Sequence, residues 1–436
     1  MAYVVASDID EIWLVNVVAP CINLAPKVAK FLERVVPDFK NVTKQGQRYR
    51  STYKVKMSRA FGHAVTKAGA DTPLGNKATW DTHYIDLMRL TGSWQYDGPL
   101  GTVSDESEVV DAIADGAKDL KAGFDDLREG LYLGMGYHAL AVTSGSASEA
   151  SGRSTYTCLA NNLWPGSRRL IDGMHIDVYG PAAPGVYIGE GTDTNRTSLE
   201  DLAITIESDT TFSVAGTTLG QSSGDAVFLH HSHGSFTDAL PGGLLRLIDG
   251  VNYNSAWEVA ASVQDIDGTS IAKWRSTVNS AASDRSLTDT LFFQVVNDVR
   301  NKTKEDVKGS DYVLMSSPEL LERWTINHAG DRQWVNVTEV VGGVPTVPIQ
   351  VGATKFNWVD VLGCAAGVLI GMNTKDMVYK AVKGLVPVDP KNPGFHSVIG
   401  TNGLPIDQMT AEMKAYEQLG ISRRDRHFIM RDLSES

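Results

Sequence analysis

Residues 104–131 read SDESEVVDAIADGAKDLKAGFDDLREGL, and the rest of the chain is organised around this stretch. Its apolar positions are Val109, Ile113, Ala117, Leu120, Phe124, Leu127 and Leu131, always three or four residues apart. That spacing holds one apolar stripe along a helix of 3.6 residues per turn, so it predicts one long amphipathic helix over 104–131. Asp105 and Glu108 fall in its first turn, where the helix dipole favours negative charge. The helix is strongly acidic: Asp105, Glu106, Glu108, Asp111, Asp115, Asp119, Asp125, Asp126 and Glu129 stand against Lys118, Lys121 and Arg128. Gly116, Gly123 and Gly130 recur at every seventh position, a costly choice inside a helix unless another backbone approaches there.

The preceding window has the opposite charge. Between 40 and 70 the ionic residues are Lys40, Lys44, Arg48, Arg50, Lys54, Lys56, Arg59 and Lys67, with no acidic residue among them. RYRSTYKVKM, from Arg48, alternates with period two and is too polar for a core strand, so a projecting hairpin is expected. Residues 70–101, with Trp80, Tyr84, Trp94 and Tyr96, close that loop. Residues 1–40 form an apolar arm cut by Pro20, Pro26 and Pro37, which end helices.

Downstream, residues 165–232 hold short β-rich runs (GMHIDVYG, LAITIESDTTFSVAGTTL, DAVFLHHS) punctuated by Gly, Asp and Thr, the spacing of a β-module. From about 256 the chain becomes mixed. LTDTLFFQVVNDVRNKTKEDV, from Leu287, predicts a helix capped by Ser286, and YVLMS, from Tyr312, predicts a buried strand. Ser316, Pro318 and Glu319 then mark a helix start. VPTVPIQV and the apolar run 359–372 predict strands of the same sheet, and 405–419 a short amphipathic helix before RRDRHFIMRDL.

Composition sets the class. The chain has 436 residues, enough for two to three domains, with 42% hydrophobic and 21% charged residues, a globular balance. A net charge of -12 argues against a protein whose main task is to grip nucleic acid, though not against a container wall facing it. The three cysteines, Cys21, Cys158 and Cys364, are far apart and read as free buried thiols. The N-terminus shows no secretory signal, and 359–372 is short for a membrane span and carries Asp360.

Candidate chemistry is thin. GQSSG at 220–224 matches the G-x-S-x-G pattern around Ser222, but a nucleophile elbow needs a helix to follow, and the next residues read as a strand. His230, His231 and His233 form HHSH, with Asp225 and Asp238 as carboxylate partners that nothing in the spacing selects; a polar strand end near a subunit contact is a plainer account than a metal site. QDIDG, with Asp265, Asp267 and Gly268, lacks the rest of a calcium loop. No arrangement of acid, base and nucleophile stands out, so neither an enzyme, a cofactor nor a metal is expected.

The order of elements, and GMHIDVYG, GLLRLIDGVNYNSAWEVAA (from Gly243), SDYVLMSSPELLERW (from Ser310) and the closing RHFIMRDL, resemble the major capsid proteins of tailed bacteriophages. Encapsulin shells and the herpesvirus capsid floor share that fold. The resemblance spans nearly the whole chain and implies an α+β fold. Its parts would be an N-terminal arm (1–40), an extended β-hairpin loop (41–101) and a peripheral domain (102–255) with spine helix 104–131 and the extra β-rich segment 165–232. An axial α/β domain (256–385) and a C-terminal return to the peripheral domain (386–436) would complete it.

It further implies pentamers and hexamers closing an icosahedral shell around double-stranded DNA, in a virion assembled in the host cytoplasm. A portal protein, a scaffolding protein (separate, if residue 1 is the native start) and cement or decoration proteins are implied partners; no membrane is. The basic loop of one copy is then expected over the acidic helix of the next, through Arg48, Arg50, Lys54, Lys56 and Arg59 on one side and Asp111, Asp115, Asp119, Asp125 and Asp126 on the other. Trp13, Phe31, Trp80 and Trp94 are candidate anchors, because aromatics dominate interface energies. The competing readings are an encapsulin-type compartment shell, a serine hydrolase using Ser222, and another phage structural protein such as a tail tube.

Overall fold

The computed structural model describes residues 37–38, 48–56, 79–97, 106–134, 139–145, 147–161, 164–179, 201–216, 224–230, 243–249, 262–264, 266–267, 274–281, 283–327, 339–341, 344–351, 354–387, 396–399 and 405–435. Within them lie four helices, α1 (Glu106–Tyr132), α2 (Leu244–Asp249), α3 (Asp289–Thr303) and α4 (Pro318–Asn327), and three large sheets. The fold is α+β. The arm falls outside the described residues except at Pro37–Asp38, which adds a short parallel strand beside Tyr379 and Lys380.

α1 forms where the apolar period placed it. In its described half, Phe124 and Leu131 are buried, and Leu120 and Leu127 pack partly buried against the core. That stripe lies over the strand Met88–Asp97, where Gly92 leaves room for the Phe124 ring. Of the seven-residue glycines, Gly130 meets the predicted backbone approach: a Cβ there would stand 2.6 Å from the Arg169 carbonyl oxygen, whereas one at Gly123 would meet nothing within 4 Å. Gly130→Ala is therefore expected to lose about 1–3 kcal/mol of stability despite alanine's better helix propensity. Gly123→Ala should gain up to about 1 kcal/mol. Urea titrations of the two variants check the contrast.

The strand Met88–Asp97 pairs along its length with Pro405–Ile421, a strand of 17 residues. The opposite edge of that strand is shared end to end by Met377–Pro387 and His396–Ile399. The helix expected over 405–419 is thus replaced by a strand, the longest among the described residues. Burial alternates at Ala411, Met413, Ala415 and Glu417 and is continuous from 417 to 421, so the strand's contacts prevail over the helix-forming composition.

The β-module begins earlier than expected. Seven antiparallel strands run in the order Ala141–Val142, Ala226–Leu229, His175–Tyr179, Leu202–Ser208, Thr211–Ala215, Arg153–Thr157 and Ser148–Ala150, so strands between 141 and 157 join those that lie within 165–232. Strand pairing, with Phe212 stacked on Tyr156 at a centroid distance of 5.0 Å, ties the early hairpin into the sheet.

The third sheet is mixed, in the order Thr277–Asn279, Phe428–Met430, Leu369–Asn373, Tyr312–Ser316, Thr354–Asp360, Val344–Val351 and Glu339–Val341. Tyr312–Ser316 is buried at every position because both faces are covered. Tyr312 and Leu314 face α3 and α4, packing with Phe292, Val295, Val299, Leu320 and Trp324. Val313 and Met315 face the large core that includes Leu131 of α1. Pieces distant in sequence therefore share one core.

Two helix starts differ by a residue or two from expectation. Thr288, not Ser286, caps α3, its hydroxyl accepting from the Leu291 amide at 3.3 Å. Ser317, not Ser316, caps α4 through the Leu320 amide, with Pro318 first in the helix. The Ser316 hydroxyl instead accepts from Trp358 Nε1 at 2.8 Å.

The closing segment is anchored at buried His427. Its Nδ1 accepts from the Asn373 amide at 3.1 Å. Burial first, then the charges of Arg424 and Arg426, push this imidazole down to about 3. Below its ordinary value of 6.5 the unfolded chain takes a proton that the folded chain refuses until about pH 3, so stability is lost as pH falls across that window. His427→Gln should flatten the acid limb by a few kcal/mol relative to wild type, read from unfolding midpoints at stepped pH.

Candidate intersubunit surfaces and the buried joint beneath them

Arg48–Lys56 and Thr79–Asp86 form an antiparallel two-stranded ribbon. Arg48 stands opposite Asp86, Arg50 opposite Tyr84 and Lys54 opposite Trp80. The register shifts between Lys54 and Lys56, which leaves Lys56 opposite Thr79. Past Leu87 the second strand runs straight on as Met88–Asp97, so the ribbon grows out of the five-stranded sheet beside α1. Its base is fixed by buried Ile85 and Leu87 and by the Tyr84 amide donating to the Gln264 carbonyl at 3.2 Å. Among the described residues no third strand pairs with it.

The predicted contact residues divide accordingly. Trp13, Phe31 and Arg59 lie outside the described residues. Arg48, Arg50, Lys54, Lys56 and Trp80 are on the ribbon, and Asp111 and Asp115 are on α1. Asp119 and Asp126 are exposed on α1, free to meet a cation from outside. Trp94 is half-buried against the chain's own core. Asp125 is 1% exposed, and its carboxylate serves inside the chain.

There it belongs to a buried ionic joint that the sequence did not announce. Arg128 donates from Nε and Nη2 to the two oxygens of Glu417 at 2.6 and 3.1 Å, and from Nη1 to Asp125 Oδ1 at 3.0 Å. The Tyr379 hydroxyl donates to Glu417 Oε2. Tyr132, packed edge-on to Tyr379 at 6.0 Å between centroids, closes the cluster. Burial alone would lower the Arg128 pKa, but the Glu417 carboxylate overrides it and holds the guanidinium charged. Burial, reinforced by Glu417, keeps the Tyr379 phenol protonated well above its usual range. The joint locks α1 to two strands of the five-stranded sheet directly below the ribbon.

Of the histidine cluster, His230 lies among the described residues and has a carboxylate partner within the chain. His230 Nδ1 lies 2.6 Å from Asp177 Oδ1, and His175 Nδ1 lies 2.6 Å from Asp201 Oδ1, joining three neighbouring strands at one end of the seven-stranded sheet. His231, His233 and Asp238 lie outside the described residues, as does Ser222. The residues after Ser222 enter a strand, Ala226–Leu229, where a nucleophile elbow requires a helix. Cys158 and Cys364 are buried, and burial pushes both thiols up to about 12, which makes them inert. Among the described residues no group of three His, Cys, Asp or Glu is placed to hold a metal ion, and no helix is long and apolar enough to cross a membrane.

No family model matches the chain, and no curated protein matches it. Among solved structures, a chain of the cyanophage A-1(L) capsid asymmetric unit is similar over 92% of this chain and 90% of its own, at 14% identity and a TM-score of 0.46. A chain of the capsid of a native GTA particle is similar over 95% of this chain and 93% of its own, at 8% identity and a TM-score of 0.41. A chain from Mycobacterium phage Bobi is similar over 100% of both, at 7% identity and a TM-score of 0.41.

Proposed function

We propose that this chain is the major capsid protein of a tailed bacteriophage, a non-enzymatic subunit that forms pentamers and hexamers and closes an icosahedral shell around double-stranded DNA. One observation carries the reading: a basic two-stranded ribbon, with no third strand among the described residues, rises from the sheet that supports an acidic helix. A two-stranded ribbon is marginal in water on its own, so it calls for a covering surface. A neighbouring copy offers one in the acidic face of α1, where Asp119 and Asp126 are exposed. The net charge of -12 suits a wall that faces DNA without gripping it. In this reading a portal and a scaffolding protein are partners, cement or decoration proteins can bind the finished shell, and assembly takes place in the host cytoplasm.

Expressing the chain alone and with a scaffolding protein, followed by negative-stain imaging, tests the proposal. Closed shells or pentamers and hexamers are the expected products. A dispersed monomer under every condition, or open tubes, would remove it. Shells that fill with a protein cargo, and never with DNA when portal and packaging motor are present, would favour a compartment shell of the encapsulin type.

A further inference from the structure

We propose that Asp125 is a proton-uptake site built into the joint between α1 and the five-stranded sheet, so that acidification tightens the attachment of the helix. The geometry is unbalanced in charge. Two carboxylates, Asp125 and Glu417, share one guanidinium, and Arg128 commits Nε and Nη2 to Glu417 and only Nη1 to Asp125. Asp125 Oδ2 has no hydrogen-bond partner although the residue is 1% exposed. A buried carboxylate oxygen in that position is costly while ionised and less so once protonated.

The charged groups that face Asp125 are Arg128 and Lys121 from α1 and Glu417 from the strand Pro405–Ile421; the Tyr379 hydroxyl from Met377–Pro387 is directed to Glu417. Burial is the largest influence and raises the Asp125 pKa, Arg128 and Lys121 oppose it, and Glu417 adds to it, with a net rise above the ordinary 3.8. The folded chain therefore holds this proton more tightly than the unfolded chain. The resulting stabilisation is complete at acid pH and is lost as pH rises through the raised value. Ionisation puts the joint under repulsion between Asp125 and Glu417 that a single proton relieves.

The direction is opposite to that of His427, so the test is a difference between two proteins measured side by side. Thermal unfolding of wild type and Asp125→Asn is followed from about pH 8 to about pH 4. Asp125→Asn is expected to melt several degrees higher than wild type at the alkaline end, with the gap closing as pH falls. A gap that stays constant with pH, or a variant that folds poorly or melts lower at the alkaline end, overturns the proposal. Infrared spectra supply a second readout. A protonated-carboxyl band should grow in the wild type as pH falls, ahead of ordinary carboxyls, and be missing from Asp125→Asn; its equal presence in both overturns the assignment.

Discussion

Arg128→Ala is expected to cost about 3–5 kcal/mol of folding stability, because it strands two carboxylates in the interior with no cation between them. Glu417 and Asp125 are both 1% exposed, and Arg128 supplies all three of the guanidinium bonds that hold them. In water each carboxylate would be solvated; in this joint the loss of the guanidinium leaves, among the described side chains, the Tyr379 hydroxyl to donate to Glu417. Glu417→Ala should cost less, since Asp125 still balances Arg128. The triple variant Arg128→Met, Glu417→Leu, Asp125→Leu should recover most of the loss, because replacing a whole buried ionic cluster by apolar groups is often neutral or better. Urea unfolding of the three proteins measures the series. A loss below about 1 kcal/mol for Arg128→Ala would mean that water reaches the joint and that α1 is held by its apolar stripe alone.

The same residues explain what the sequence could and could not reveal. α1 was legible because its stripe is unbroken from Val109 to Leu131 and has only one period that fits. Tyr312–Ser316 was legible because continuous burial on two sheet faces demands continuous apolar residues. Pro405–Ile421 was not, and the missed strand and the missed joint are one event. A strand with Leu or Val at 417 would have shown its alternation openly. Glu417 breaks that alternation because Arg128, 289 positions away, neutralises it in the core. Among so many acids and the helix formers Met, Ala, Lys and Gln, the remaining pattern reads as a helix. Asp125 was assigned to the outer, acidic face of α1 for a related reason: charge alone does not distinguish the carboxylate that meets a partner from the one that meets Arg128. The useful signal was Arg128 itself, a lone arginine three residues from Asp125 on the turn that also carries Leu127 and Leu131.

Reversing Arg48, Arg50 and Lys54 to glutamate together is expected to abolish assembly while leaving the subunit folded. Positions 48, 50 and 54 share one face of the strand Arg48–Lys56 and stand opposite Asp86, Tyr84 and Trp80 of its ribbon partner. One exposed ion pair contributes only about 0–1 kcal/mol, so neutralising a single residue should leave shells intact. Reversal differs in kind, since in the proposed contact it would set like charges against the acidic helix of the neighbour, and juxtaposed like charges cost several kcal/mol. In a closed shell that penalty recurs at every subunit contact, and the small margin that holds neighbouring copies together is exceeded everywhere at once. The mutant should elute as a folded monomer, with a small loss of stability where a glutamate at position 48 would stand opposite Asp86, and compensating reversals of Asp111, Asp115 and Asp119 to lysine should restore shells. Restoration ties the ribbon to α1 as partner surfaces; a compensated variant that stays monomeric, or a reversed one that still assembles, would show that copies meet elsewhere.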